Sequence, residues 1–144
     1  MESRIQSVEV SYLVHSTEDQ HKLSRRVEEM LKMDVAGKAD ELEGHYGNKI
    51  LRVSYHMTGE SASSFFANLA SSLPEEAKKE LSRDLERMVD EHSALYLRLD
   101  KQSLVSGRLA LGGAESVRLR VKPRLVLLRG GAVEFFRESL GASK

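Results

Sequence analysis

The chain has 144 residues, with 22 Lys/Arg against 22 Asp/Glu and no cysteine. That length suits one domain, residues 1–144, with a core of its own. The missing thiols exclude a disulfide framework, a thiolate metal site and a cysteine nucleophile, and fit the reducing cytoplasm. No stretch approaches the roughly 20 apolar residues of a membrane span, and Met1 to Gln6 carries Glu2 and Arg4 where an export signal is apolar.

Neutrality hides an uneven distribution. Residues 1–97 hold 12 Lys/Arg against 18 Asp/Glu, net −6, and residues 98–129 hold 8 against 2, net +6. Clustered cations create the field to which a polyanion responds even when the whole molecule is neutral. The alternative is internal, with acidic helices lying against basic strands.

The chain opens on alternation: Val8, Val10, Tyr12 and Val14 on one face, Glu9, Ser11 and Leu13 on the other, which is the period of a half-buried strand. Ser16 and Thr17 before Glu18 and Asp19 form a capping signal, and Leu23, Val27, Met30 and Leu31 then fall at helical spacing. Leu42 and its acidic neighbours lead through the turn residues Gly44-His45-Tyr46-Gly47-Asn48 into a strand bearing Ile50, Leu51, Val53 and Tyr55.

Two helices follow, striped by Phe65, Phe66, Leu69 and Leu73 and by Ala77, Leu81, Leu85 and Met88, with Pro74 marking the start of the second. Leu95, Leu97 and Leu99 alternate with Tyr96 and Arg98 as another strand. Gln102 to Leu111 fits a helical turn or an irregular strand equally well, ending at Gly112-Gly113. Ser116 to Val126 sets Val117, Leu119 and Val121 against Arg118, Arg120 and Lys122; Pro123 there predicts an edge strand or a bulge. Val133, Phe136 and Leu140 fit a short C-terminal helix. Together these predict an α+β fold, a mostly antiparallel sheet covered by helices.

Arg118, Arg120, Lys122 and Arg124 recur every second position and share a face on a strand, with Arg98 and Lys101 expected nearby. Such fixed donors meet phosphate oxygens with release of counterions; the plain alternative is a solvated strand face. Tyr96, His45 and Tyr46 are the candidate base-stacking groups. Phe65, Phe66, Phe135 and Phe136 sit on helical faces and read as core or interface. Asp40, Glu41, Glu43 and His45 crowd together without the spacing of a known metal site. There is no H-E-x-x-H pair, P-loop, dinucleotide-binding glycine motif or G-x-S-x-G elbow, so neither a catalytic residue nor a metal or other cofactor is expected.

Glu43-Gly44-His45-Tyr46-Gly47-Asn48 followed by Ile50, Leu95 to Gln102, and the opening strand with His15-Ser16-Thr17-Glu18-Asp19 together resemble an archaeal RNA-binding family described as a predicted exosome subunit. The resemblance runs over nearly the whole chain. It implies a ribosomal-protein-like two-layer sandwich, as in the large-subunit protein that binds the small ribosomal RNA. It also implies homodimerisation, exosome- or ribosome-associated partners and RNA binding. Lys49 departs from the family's pattern, in which proline follows the turn's asparagine, and this leaves the role of the turn open.

The expected function is non-catalytic RNA binding through Arg98, Lys101, Arg118, Arg120, Lys122, Arg124, His45, Tyr46 and Tyr96. The competing reading is a homodimeric assembly module whose sheet edge or Phe-bearing helices make a protein interface. A nuclease built on Asp40 and Glu43 ranks last.

Overall fold

Alternating β-branched and polar residues draw the first segment into a long strand, β1 (Ile5–His15), with Val8, Val10, Tyr12 and Val14 buried. A computed structural model describes residues 4–43, 49–124 and 131–141. After β1 come α1 (Gln20–Leu31), β2 (Lys38–Glu43), β3 (Lys49–Thr58), α2 (Gly59–Ser72), α3 (Glu75–Met88), β4 (Leu95–Asp100), α4 (Lys101–Val105), β5 (Ser116–Pro123) and α5 (Ala132–Ser139). The five strands form one antiparallel sheet in the order β2-β3-β1-β5-β4, with helices over one face, giving the predicted α+β two-layer architecture.

The inner face packs Val53, Tyr55, Met57, Leu97, Leu119 and their neighbours against Leu23 and Val27 of α1, Phe65 and Leu69 of α2, and Leu81 and Leu85 of α3. Phe65, Phe66 and Phe136 are buried, the last two edge to face with ring centroids 5.9 Å apart. These aromatics are committed to the core and are not offered to a partner. The Tyr12 and Tyr55 hydroxyls, 3.0 Å apart, are satisfied by Ser24 and Glu28 on α1. Tyr55 reaches that position under Gly37, where any Cβ would stand 2.8 Å from its ring.

One local expectation is corrected and two open readings are resolved. The cap of α1 is Asp19, which accepts from the backbone N–H groups of His21 and Lys22, because β1 runs on to His15 and Ser16 and Thr17 fall in the turn. Of the two readings of Pro123 the bulge holds: the register shifts between Ile5 and Ser7 opposite it, so proline's missing donor falls where the ladder is already broken, and the pairing with β4 stops at Val121. The ambiguous segment 102–111 is the short helix α4 and a return along the outer edge of β4, where Leu111 bridges Leu99 and Gly112 N–H donates to the Arg98 carbonyl at 2.9 Å.

Candidate functional site

Because the helices cover one face, alternation sends every second strand residue to a face that no helix covers. There Arg118 lies directly opposite Arg98 on β4 and opposite Ser11 on β1; Arg120 lies between Tyr96 and Glu9, and Lys122 opposite Ser7. The pattern continues beyond β1, where Arg52 faces Leu13, Ser54 faces Ser11 and His56 faces Glu9. One row, Lys38-Ser54-Ser11-Arg118-Arg98, crosses all five strands.

Partners divide these cations. The side chains of Arg52, Arg98, Arg118 and Lys122 make no ion pair or hydrogen bond among the described residues. Glu80 and Asp84 of α3 share a hollow with Arg98 at the β4 edge but come no closer than that. The alternative in which acidic helices neutralise the basic strands therefore does not hold for this row. Like charges directly opposite one another destabilise a sheet, so the Arg98–Arg118 juxtaposition is a cost that no ion pair among the described residues offsets.

Arg120 is half engaged. Its Nε donates to the Tyr96 hydroxyl at 2.9 Å, its guanidinium lies 5.8 Å from that ring's centroid, and Nη1 is 3.6 Å from Glu9. The Tyr96 hydrogen bond raises its pKa, with burial opposing. Tyr96 itself is 47% exposed.

Lys101 behaves differently from expectation. It belongs to α4, not to the basic strand face, and is 2% exposed. Its Nζ donates to the Leu13 carbonyl at 3.0 Å, to Glu18 at 3.0 Å and to Glu115 at 3.1 Å, which uses all three of its donors inside the protein. Asp100 causes this turn: it caps α4 by accepting from Ser103, and the helix swings the next side chain inward. Hydrogen bonding to Lys101 lowers the Glu115 pKa, with a further contribution from His15, whose Nε2 is 2.8 Å away. His15, Glu18 and Glu115 are close enough together to hold a cation, and the Lys101 ammonium supplies one.

Arg124 is exposed one residue past β5, its backbone N–H bonded to the Arg4 carbonyl. His45 and Tyr46 lie outside the described residues. Asp40 and Glu41 sit on opposite faces of β2, Glu41 pairing with Lys49 at 3.5 Å, so strand geometry separates them.

Arg52 and Leu13 carry weight that the basic run alone did not suggest, although the alternation of β3 and β1 already placed both outward. They line a groove of about 490 Å³ with Ser11, Arg98, Arg118, Ser116 and Glu115, whose carboxylate is held by Lys101 and His15. Leu13 is 38% exposed amid these cations.

A family profile described as RNA binding matches residues 7–123. The chain is 29% identical over 134 residues to RNA-binding protein PAB1135 of Pyrococcus abyssi, covering 88% of this chain and 87% of that protein. It superposes on the crystal structure of the DUF54 protein AF2318 from Archaeoglobus fulgidus with a TM-score of 0.79 and 30% identity, over 94% and 99% of the two chains. The DUF54 protein SSO0741 from Sulfolobus solfataricus gives 0.72 and 25%, over 96% and 99%.

Proposed function

The chain belongs to the RNA-binding family matched over residues 7–123, and from that premise we propose that the uncovered face of the sheet is where it meets RNA. The observation that carries this reading is the Arg98–Arg118 pair. Two guanidinium groups stand directly across from one another with no carboxylate partner among the described residues. A polyanion supplies the missing countercharge. Arg52 and Lys122 extend the positive surface along it, and Arg124 adds to it past the strand's end.

Arg120 and Tyr96 act as one unit, the arginine fixing the phenol ring at the margin of the face. Lys101 contributes no phosphate contact and instead stiffens the end of the sheet. His45 and Tyr46 stay candidate stacking groups from their place in the turn sequence before β3. The family resemblance supports the finer roles: a non-catalytic accessory factor in exosome-linked or ribosome-related RNA processing in the cytoplasm, acting as a homodimer.

RNA affinity measured across a salt series tests the reading. Replacing Arg98 and Arg118 together with Ala should weaken binding to many sequences alike and make the slope of log K against log salt shallower by about one to two. No detectable binding at low salt, or an unchanged slope in the double variant, removes the proposal.

A further inference from the structure

The groove on this face has a composition that a simple electrostatic patch does not require. Resting on the RNA reading above, we propose that it takes one unpaired nucleotide of a single-stranded RNA, its phosphate against Arg98 and Arg118 and its base laid over Leu13 and Leu42.

Leu13 sits on the central strand, exposed, with Arg52 directly across the β1–β3 ladder and Arg118 on the neighbouring β5. Cations thus flank an apolar floor on two sides. Phosphate alone gains nothing from that floor, whereas the face of a nucleobase does, because apolar surface is removed from water there. The about 490 Å³ volume lies within the roughly 300–1,000 Å³ of ordinary ligand clefts, the size class of a single small ligand.

A duplex has no free base face to offer, and its A-form major groove is too deep and narrow for side chains to read. The floor is also held in place in advance. The Lys101 ammonium binds the Leu13 carbonyl at 3.0 Å, and the same ammonium is fixed by Glu18 and Glu115, so the strand beneath the base does not need to be ordered on binding.

Fluorescence anisotropy on the full chain, with a non-self-complementary oligoribonucleotide and with the same sequence as a duplex, separates the alternatives. Wild type should prefer the single strand by about tenfold or more, and Leu13→Ser should lose most of that preference. The salt slope should not move in Leu13→Ser, since no charge is removed, and Leu13→Met should retain binding. Arg52→Ala should make the slope shallower by about one. Because Leu13 faces away from the core, thermal melting of Leu13→Ser should match wild type.

Equal binding of duplex and single strand, or an unaltered preference in Leu13→Ser, overturns the groove assignment. If that happens while the Arg98/Arg118 double variant still flattens the salt slope, the RNA reading survives and only the groove falls. If neither variant matters, both fall. Displacement of the RNA by a glutamate-rich peptide of matching charge, at equal concentration, would assign the groove to an acidic protein partner and overturn the proposal.

Discussion

Arg118 and Lys101 carry the same charge, one on β5 and the other on the short helix that follows β4, yet their surroundings are opposite. Lys101 is enclosed, with two carboxylates and a carbonyl around its ammonium. Arg118 faces solvent across from another arginine and has no partner among the described residues. The difference teaches that counting cations does not locate a binding surface. What matters is whether the protein has already filled their donor sites.

The strongest way to break this contrast is Lys101→Met. It leaves Glu18 and Glu115 facing each other and the Leu13 carbonyl without its donor, so urea denaturation should show a loss of about 2–3 kcal/mol, less than for a fully buried pair because Glu115 is half exposed. If Lys101 met phosphate, the RNA salt slope would fall as well; it should stay unchanged.

Gly113→Ala sharpens the same point from the other side of α4. Gly113 has φ +93°, and a Cβ there would run into Oδ1 of the Asp100 carboxylate, whose Oδ2 caps the helix that turns Lys101 inward. A loss of about 1–3 kcal/mol is expected in the same assay.

Arg118→Glu should move stability and binding in opposite directions. The new carboxylate faces Arg98, so stability should rise by up to about 1 kcal/mol while RNA affinity collapses. A stability loss in that variant would mean that Arg98 and Arg118 are not juxtaposed as described.

The smallest effect is in pH. Glu115 has a lowered pKa when folded, first from its hydrogen bond to Lys101. Its contribution is present above the ordinary glutamate value of 4.5 and is lost as pH falls through the lower folded value. Acid titration of stability should show this component in wild type and a smaller one in Lys101→Met, where His15 alone holds the carboxylate pKa down.

Much of this was legible from local pattern. Alternation alone put Arg118, Arg120 and Lys122 outward with Arg98, and it separated Val8, Val10 and Tyr12 from Leu13. That Arg98 stands directly opposite Arg118 depends on pairing between strands, which periodicity within one strand does not encode. Lys101 misled because it follows a strand whose polar residues point outward; only the Asp100 cap reverses its direction. Nothing in its own strand sets Arg52 apart, since its importance comes from Leu13 of β1 lying beside it and from β5 one strand further on. Pro123 left edge and bulge open together because a slipped ladder tolerates proline as well as a border does, and pairing decides for the bulge.

The first strand of the chain is also the middle strand of the sheet, and Ser7 meets Lys122 near the opposite end of the sequence. A ribosome must therefore release the whole stretch from β1 through β5 before the centre of the sheet can close. Such distant pairings slow folding, since loop entropy must be overcome before they form. Until β5 arrives, the newly made β1 waits with one hydrogen-bonding edge unfilled, and the arginine row exists only once β5 has joined it.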